Sequence, residues 1–270
     1  AMRWHRRRRA TKRSPRNLHQ PEGLRAAQRK ATYFGRTTLA IIALLVTSCG
    51  SMLPWRGEAP ASEVNLAFTI QNNLLFLTTT EINNHPARMF FGTAQPRTLV
   101  DPAFADRART RRYSLQLNQR ESLPFTPLVV SLGGLGDALI GSDVWGSHAV
   151  TIDYRSGLLT YQKDGIHPDE MTLFRWRGEP SILVHIDGHA TTMIVDTALP
   201  DTIVLPRGAA PASRRTAHVM IAGTDFGNVD IAIGDVTQAR IGNRLLSKFL
   251  VSVDYGRKQV GLWRDPRIPM

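Results

Sequence analysis

The stretch HIDGHATTMIVDTALPDTIV at residues 185–204 resembles, without a gap, the stretch EINNHPARMFFGTAQPRTLV at residues 81–100. An offset of 104 residues relates the two stretches, so Asp196 corresponds to Gly92 and Thr197 to Thr93. Each copy has the pattern of a strand, a tight Asn-Asn or Asp-Gly turn, a second strand, and a Thr-Ala-x-Pro-x-Thr loop that leads into another apolar strand. The sequence therefore predicts two structural units of the same construction.

A second block of similarity follows in both copies at an offset of 101 residues. IGSDVW at residues 140–145 matches IGNRLL at 241–246, and VTIDY at 150–154 matches VSVDY at 251–255. Short apolar runs separated by turn residues fill most of the remaining chain, which is typical of strands. Two blocks in the same order predict a duplicated half-domain. We expect an all-β fold of two pseudo-symmetric lobes with a cleft between them, the first repeat at residues 65–165 and the second repeat at residues 170–266.

The positive charge of the chain is concentrated at its start. The 270 residues carry a net charge of +12, yet residues 1–36 hold twelve Lys and Arg against the single acid Glu22, which leaves +1 for the remainder. A nearly neutral folded part does not favour a phosphate-binding surface of the kind that nucleic-acid-binding domains present. Nucleic acid is therefore not an expected partner.

Residues 37–50 place an apolar run and small residues directly after this basic stretch, which is the order of a bacterial export signal. The run is shorter than the roughly 20 residues of a transmembrane helix. Its end, VTSC at residues 46–49, resembles a lipoprotein processing site with Cys49 as the lipid-attachment residue. An uncleaved anchor with a cytoplasmic basic arm is the alternative. Residues 1–49 are thus predicted to direct the chain to the bacterial cell envelope, with 50–64 as a linker and the folded part extracytoplasmic.

Several segments of the second repeat together resemble the retropepsin-like and pepsin-like family of aspartic peptidases. They are IVDTA at 194–198, IVLP at 203–206, IGNRLL at 241–246 and VSVDY at 251–255. The resemblance covers about residues 65–265. It implies that each lobe is half of an enzyme and contributes one aspartate to a substrate cleft. The implied catalytic residues are Asp196 and Thr197, with Gly92 and Thr93 at the equivalent position of the first lobe.

The chain departs from the family pattern where the chemistry is carried out. Hydrolysis by this family uses a water between two carboxylates that share a proton. Gly92 replaces one of the two aspartates, and Ala94 and Ala198 stand where glycine is usual. Asp196 then has two interpretations, a catalytic remnant or a structural acceptor of hydrogen bonds at the lobe interface.

Three functions follow from this pattern. The leading hypothesis is a degenerate, membrane-anchored peptidase homologue that binds a peptide or protein partner with little or no proteolysis. The alternatives are an active aspartic endopeptidase that uses Asp196 and a structural subunit of a membrane complex. No cofactor is expected, and the oligomeric state is left open.

Other residue patterns favour structural roles. His185 and His189 flank a turn, so a zinc site is not expected. The glycines of residues 133–136 lack the spacing of a nucleotide-binding loop. Asp153 and Asp254 recur at strand ends, where a turn role is expected. Asp101 lies beyond the next strand and does not replace the missing acid at Gly92.

Overall fold

The computed structural model describes residues 63–108, 110–166, 171–211 and 213–267. Strands account for 47% of these described residues and helices for 8%, which confirms the all-β prediction. All of the described residues fall within one compact unit, Leu53–Met270. The predicted export signal, Cys49 and nearly all of the linker lie outside the described residues.

The first repeat contains twelve strands and two short helices among its described residues. They are β1 (Glu63–Gln71), β2 (Leu74–Leu77), β3 (Glu81–Ile82), β4 (His85–Pro86), β5 (Met89–Phe91), β6 (Leu99–Val100), α1 (Pro102–Ala108), β7 (Tyr113–Gln116), β8 (Ser122–Phe125), β9 (Leu128–Val129), β10 (Ala138–Ile140), α2 (Ser142–Trp145), β11 (Ala149–Asp153) and β12 (Leu158–Gln162).

The second repeat contains ten strands and one short helix among its described residues. They are β13 (Thr172–Arg175), β14 (Ser181–Ile186), β15 (His189–Val195), β16 (Ile203–Pro206), β17 (Thr216–Ile221), β18 (Thr224–Asp230), β19 (Ala232–Gly234), β20 (Arg240–Ile241), α3 (Asn243–Leu246), β21 (Leu250–Asp254) and β22 (Gln259–Trp263).

Tight turns connect the hairpins as the sequence predicts. Asn83 and Asn84 have φ of 52° and 62°, and Asp187 and Gly188 have φ of 49° and 81°. Positive φ at both central residues is the signature of the type I′ turn, whose twist matches that of the flanking strands. Asn, Asp and Gly tolerate this region best, which is why the two turns form at these dipeptides.

The same pairing order occurs around the second block of each repeat. Strand β10 runs parallel to β5 and antiparallel to β6, which in turn pairs in parallel with β9. Strand β20 runs parallel to β15 and antiparallel to β16, which pairs in parallel with β19. In both repeats a four-residue helix follows, α2 or α3. This arrangement brings the loops that follow β5 and β15 beside the strands of the second block.

One antiparallel pair, β11 with β21, joins the two repeats into a sheet of eleven strands. The sheet order is β13-β22-β21-β11-β12-β1-β2-β5-β10-β6-β9. Sheets of seven and four strands complete the described part. The side chains between the sheets form a continuous apolar core that includes Trp145, Phe91 and Tyr161, all at most 1% exposed.

Some predicted boundaries differ from the observed ones. Strand β1 already begins at Glu63, inside the predicted linker. The apolar run at residues 128–132 pairs as a strand only over Leu128–Val129. It ends because the Leu132 amide donates to Asp101 Oδ2 (3.0 Å) instead of to a neighbouring strand. Side-chain acceptors of this kind compete with strand pairing.

Within the described ranges, none of the helices is both long and apolar enough to cross a membrane.

Candidate functional site at the junction of the two repeats

The loops that follow β5 and β15 meet through an exchange of hydrogen bonds between two threonines. Thr197 Oγ1 accepts from the Thr93 amide (3.0 Å) and donates to the Phe91 carbonyl oxygen (2.9 Å). Thr93 Oγ1 accepts from the Thr197 amide (3.1 Å) and donates to the Val195 carbonyl oxygen. Both threonines are fully buried, so each hydroxyl satisfies backbone groups that water does not reach. We call these loops, residues 92–95 and 196–199, the junction.

The backbone of the two loops is bonded in the same way. The Gly92 amide donates to the Ile140 carbonyl oxygen, and the Asp196 amide donates to that of Ile241, both at 3.0 Å. Ile140 and Ile241 are equivalent residues of the second block. Gly92 and Asp196 therefore make the same backbone bond in the two loops of the junction.

Polar side chains from the second block hold the loop carbonyls in place. Tyr255 donates its hydroxyl to the Thr93 carbonyl oxygen (3.1 Å), and Asn243 Nδ2 donates to that of Thr197 (2.6 Å). Tyr154 in turn donates to Asn243 Oδ1 (2.8 Å). Burial raises the pKa of both tyrosines above its ordinary value, so their hydroxyls remain protonated donors. Side chains of the second block thus support the junction in addition to the threonine exchange.

The carboxylate of Asp196 is engaged on both oxygens. Its Oδ1 accepts from the Ala198 amide (3.0 Å), and its Oδ2 accepts from Arg240 Nη1 (2.6 Å). The Asp196 side chain is only 12% exposed and that of Arg240 is 23% exposed. A second carboxylate, Glu179, lies 3.9 Å from Arg240 Nη2. The adjacent Arg240 guanidinium therefore neutralises the charge of Asp196 at a position with little solvent exposure.

The equivalent place in the first repeat is apolar and closely packed. A Cβ atom added to Gly92 would lie 3.0 Å from Leu139 Cδ1 and 3.2 Å from the Cβ atoms of Ala198 and Gln95. Such distances are shorter than ordinary van der Waals contacts between carbon atoms. A side chain at this position would therefore require its neighbours to shift by a few tenths of an ångström.

Leu139 and Arg240 are themselves equivalent residues, each directly before the Ile-Gly of the second block. The first repeat therefore combines Gly92 with Leu139, and the second combines Asp196 with Arg240. Both members of the pair differ between the repeats, whereas the threonines are the same. An acid is present only where a cation neutralises it.

This geometry does not provide the two facing acids of an aspartic-peptidase centre. Gly92 contributes no carboxylate, and the Arg240 guanidinium occupies Asp196 Oδ2, where a proton-accepting oxygen would be required. Asp101 does not substitute for the missing acid, because its oxygens accept from the amides of Ala103 and Leu132 (both 3.0 Å). These amide bonds lower the pKa of Asp101 below its ordinary value.

The recurring aspartates of the second block have the turn role that their position predicts. Asp153 Oδ1 accepts from the amides of Arg155 and Ser156, and Asp254 Oδ1 accepts from that of Arg257. Each carboxylate therefore organises the turn that follows its own strand.

Elsewhere in the described part of the chain, no group of three or more His, Cys, Asp or Glu side chains is placed to hold a metal ion. Two surface pockets, of about 590 and about 480 Å³, are present among these residues. Neither is lined by Gly92, Thr93, Asp196 or Thr197.

Sequence reasoning missed Arg240, Asn243 and Tyr255. A signal existed for Arg240, because it directly precedes an aligned block whose other copy is preceded by Leu139. Tyr154 and Tyr255 recur in the repeat, yet periodicity alone does not indicate that their hydroxyls reach the junction.

No protein-family model matches the chain, and a search of curated proteins also finds no match.

Proposed function

We propose that the chain is a degenerate homologue of the aspartic peptidases, with two pseudo-symmetric lobes around a cleft, that binds an extended peptide or a protein partner with little or no proteolysis. The observation that carries this proposal is the junction itself. Its threonine exchange ties two equivalent loops together, while Asp196 is bonded to Arg240 and its counterpart is Gly92.

Two contacts between equivalent residues support a pseudo-two-fold arrangement. Thr93 and Thr197 bond each other at the junction. Thr151 and Ser252, which are also equivalent, face each other across the β11–β21 pair with their hydroxyls 2.5 Å apart. Equivalent residues meet each other only where a symmetry axis passes between them.

The chemistry of the junction supports the loss of hydrolysis. A carboxylate dyad functions because two like charges cannot both ionise at close range, so that one acid holds a proton and the other accepts one. Asp196 has no such partner, and Arg240 contacts one of its carboxylate oxygens directly.

The surroundings of Gly92 are apolar and buried, so they support the loss of the second acid and do not themselves form a binding surface. A small apolar cluster beside it, separate from the main core, consists of Leu74, Phe76, Phe90 and Leu139, and Ala198 packs against this cluster from the second repeat. A two-lobed protein that has lost its dyad still offers strand edges for backbone pairing and pockets for alternate side chains.

For its location, we propose anchorage at the bacterial cell envelope through residues 1–49, by lipidation of Cys49 or by an uncleaved anchor. The basic and then apolar order of that region supports this placement. A structural subunit of a membrane complex is compatible with the same anchor. Detergent extraction and pull-down, with and without residues 1–48, separates the structural role from the peptide-binding role. A complex that persists at a stoichiometric ratio without a peptide ligand would favour the structural role.

The peptidase question is tested by incubating the purified full chain with a peptide library at acidic and neutral pH, with and without pepstatin. We expect no cleavage above that of an Asp196→Asn variant. Pepstatin-sensitive cleavage that disappears in Asp196→Asn would overturn the proposal and establish an active aspartic peptidase.

The binding question is tested on the same protein with an array of extended apolar peptides, followed by hydrogen exchange on the complexes. We expect the peptides that bind to slow exchange in the exposed or half-buried segments that continue the junction loops, residues 95–97 and 198–201. Peptide binding that protects only strands remote from the junction would contradict the proposed site.

A further inference from the structure

Four of the six residues that line the larger of these two surface pockets are cations. Its volume is about 590 Å³, and its lining residues are Arg175, Trp176, Arg177, Arg257, Lys258 and Gln259. The first three lie at and just after the end of β13, Arg257 and Lys258 in the turn between β21 and β22, and Gln259 at the start of β22. We call this set the basic pocket.

Most of its positive charge is not neutralised. Arg257 Nη1 contacts Asp254 Oδ2 (3.2 Å) and the Asp164 carbonyl oxygen (2.9 Å). Over the ranges that the structure describes, no acid pairs with Arg175, Arg177 or Lys258. Like charges held together in one concavity repel each other, and a bound anion relieves that repulsion.

The duplication provides an internal comparison for this charge. The Trp176 amide donates to the Lys258 carbonyl oxygen (3.1 Å), as the Phe68 amide does to that of Gly157 (2.8 Å). The strand pairing agrees, because β13 has the same register on β22 as residues 64–67 of β1 have on β12. The first-repeat equivalents of the four cations are Ala67, Thr69, Ser156 and Gly157. The same backbone thus carries no cation in one repeat and four in the other.

Lys258 has a conformation that disfavours its own side chain. Its φ is +53°, in the left-handed region, and the equivalent Gly157 has φ of +66°. Glycine occupies this region without strain, whereas a lysine does so at a conformational cost. Strained residues that persist where an unstrained one would fit are concentrated at functional sites. The turn therefore holds a positive charge at a position where its first-repeat counterpart holds an unstrained glycine.

We propose that the basic pocket binds a phosphate-bearing ligand. Guanidinium groups match phosphate oxygens in pairs, and a lysine adds a compact charge. A phosphate group carries close to two charges and three acceptor oxygens, which suits several cations better than the single charge of a carboxylate does. The volume exceeds that of one phosphate and is in the range of small-ligand sites. A diphosphate or a phosphorylated headgroup therefore fits.

The pocket is also connected to the junction. The Trp176 ring packs edge-on against Tyr255, with ring centroids 6.5 Å apart, and Tyr255 donates to the Thr93 carbonyl oxygen. A ligand that orders the Trp176 segment would therefore lie next to a side chain that contacts Tyr255, which itself bonds to the junction. The phosphate site does not depend on the peptidase likeness, since it rests on charge and backbone geometry alone.

The test uses the full chain and inorganic diphosphate as the probe, with binding measured by calorimetry at low salt. Arg175→Gln combined with Arg177→Gln is expected to weaken binding at least tenfold. Arg111→Gln combined with Arg112→Gln removes the same charge from two exposed arginines outside the pocket and is expected to change binding less than twofold. This control also accounts for the basic residues 1–36, which both variants retain.

A second variant separates charge from folding. Lys258→Gly is expected to weaken diphosphate binding at least threefold while the melting temperature stays the same or rises. The proposal would be overturned if the two arginine double variants lost diphosphate affinity equally. It would also be overturned if neither Lys258→Gly nor the Arg175/Arg177 double variant changed diphosphate binding.

Two further arms identify the source of the phosphate. The first arm measures co-sedimentation of the chain with phosphatidylcholine vesicles that contain phosphatidic acid. If this binding is lost in the Arg175/Arg177 double variant and is competed by diphosphate, the ligand is a lipid headgroup. If diphosphate binding requires the basic pocket and vesicle binding does not, the ligand is a soluble phosphate compound. Tighter pocket-dependent binding of an oligoglutamate peptide or of single-stranded RNA than of diphosphate would contradict the proposed ligand class.

Discussion

The two loops of the junction have the same backbone and opposite side-chain chemistry. In the first repeat Gly92 packs beneath Leu139 in an apolar setting, and in the second Asp196 is bonded to Arg240. The threonines beside them make the same bonds in both repeats. The comparison indicates that the threonine exchange is the requirement that both copies meet. The acid is optional, and where it remains it is paired with a cation from the neighbouring strand.

The basic pocket extends this comparison to a second region. There too one repeat has small or neutral residues and the other has charges on the same backbone. Each repeat has therefore kept the pairing that defines its fold and changed the side chains at the ends of its strands. Strand ends and turns accept such changes because they do not interrupt the apolar core.

The largest expected effect tests the part that the two loops share. Thr93→Val keeps the shape of the side chain but leaves the buried Thr197 amide and Val195 carbonyl oxygen without their partner. Buried groups that lose a hydrogen bond cost about 1–3 kcal/mol each, so we expect a loss of about 2–4 kcal/mol in the free energy of unfolding, measured by urea denaturation. Thr197→Val should behave alike.

The control for this prediction is Thr69→Val on an exposed face of β1, which should change stability by less than about 0.5 kcal/mol. A loss of less than about 1 kcal/mol in Thr93→Val would show that the exchange does not hold the repeats together.

The next effect tests the part in which the loops differ. Arg240→Leu introduces the residue of the first repeat and leaves a mostly buried carboxylate without its cation. We expect a loss of about 1–3 kcal/mol, below the value for fully buried pairs because both groups retain some exposure. Combining it with Asp196→Gly reproduces the first-repeat pair and should recover at least half of the loss, as a double-mutant cycle measures. Additive losses would refute the coupling.

A smaller effect of opposite sign is expected at the turn of the basic pocket. Lys258→Gly gives the second repeat the residue that the first has at Gly157 and removes a left-handed lysine. Relief of strain exceeds the added freedom of the unfolded chain, so stability should rise by up to about 1 kcal/mol. Gly157→Lys is the matched reverse change and should destabilise by a similar amount. Thermal unfolding of both variants checks the two signs, and changes of equal sign would contradict the interpretation.

The smallest effect concerns the aspartates that end the two repeats. Asp164 is exposed, whereas Asp265 is buried and contacts Arg267 and, across the repeats, Arg155 (3.5 Å). The bonds from Arg267 lower the pKa of Asp265 to about 2. A lowered folded-state pKa contributes stability above the unfolded value of about 3.9 and loses it as the pH falls toward the folded value.

Denaturation between pH 5 and pH 2 tests this contribution. The stability of Asp265→Asn should depend less on pH than that of the original chain between about pH 4 and pH 2, whereas Asp164→Asn should follow the original chain more closely. Identical pH profiles for Asp265→Asn and the original chain would contradict it.

Local sequence was sufficient for the elements of this fold that depend on neighbouring residues. Dipeptides such as Asn83-Asn84 and Asp187-Gly188 determine their turns, because only a few residue types tolerate positive φ at both positions. Internal similarity then indicated which loops are equivalent, and the structure brings Gly92, Thr93, Asp196 and Thr197 together at one junction. Strand ends such as that of β9 were predicted less well, because a distant carboxylate, Asp101, ends the pairing there.

The sequence by itself determined the all-β class, the duplication and the absence of an acid at Gly92. Only the tertiary structure decided what Asp196 contacts and where the unpaired cations collect. Arg240 reaches Asp196 from a strand 44 residues further along the chain, through the parallel pairing of β15 with β20. Such pairing follows from the packing of whole sheets, and no local pattern of residues encodes it.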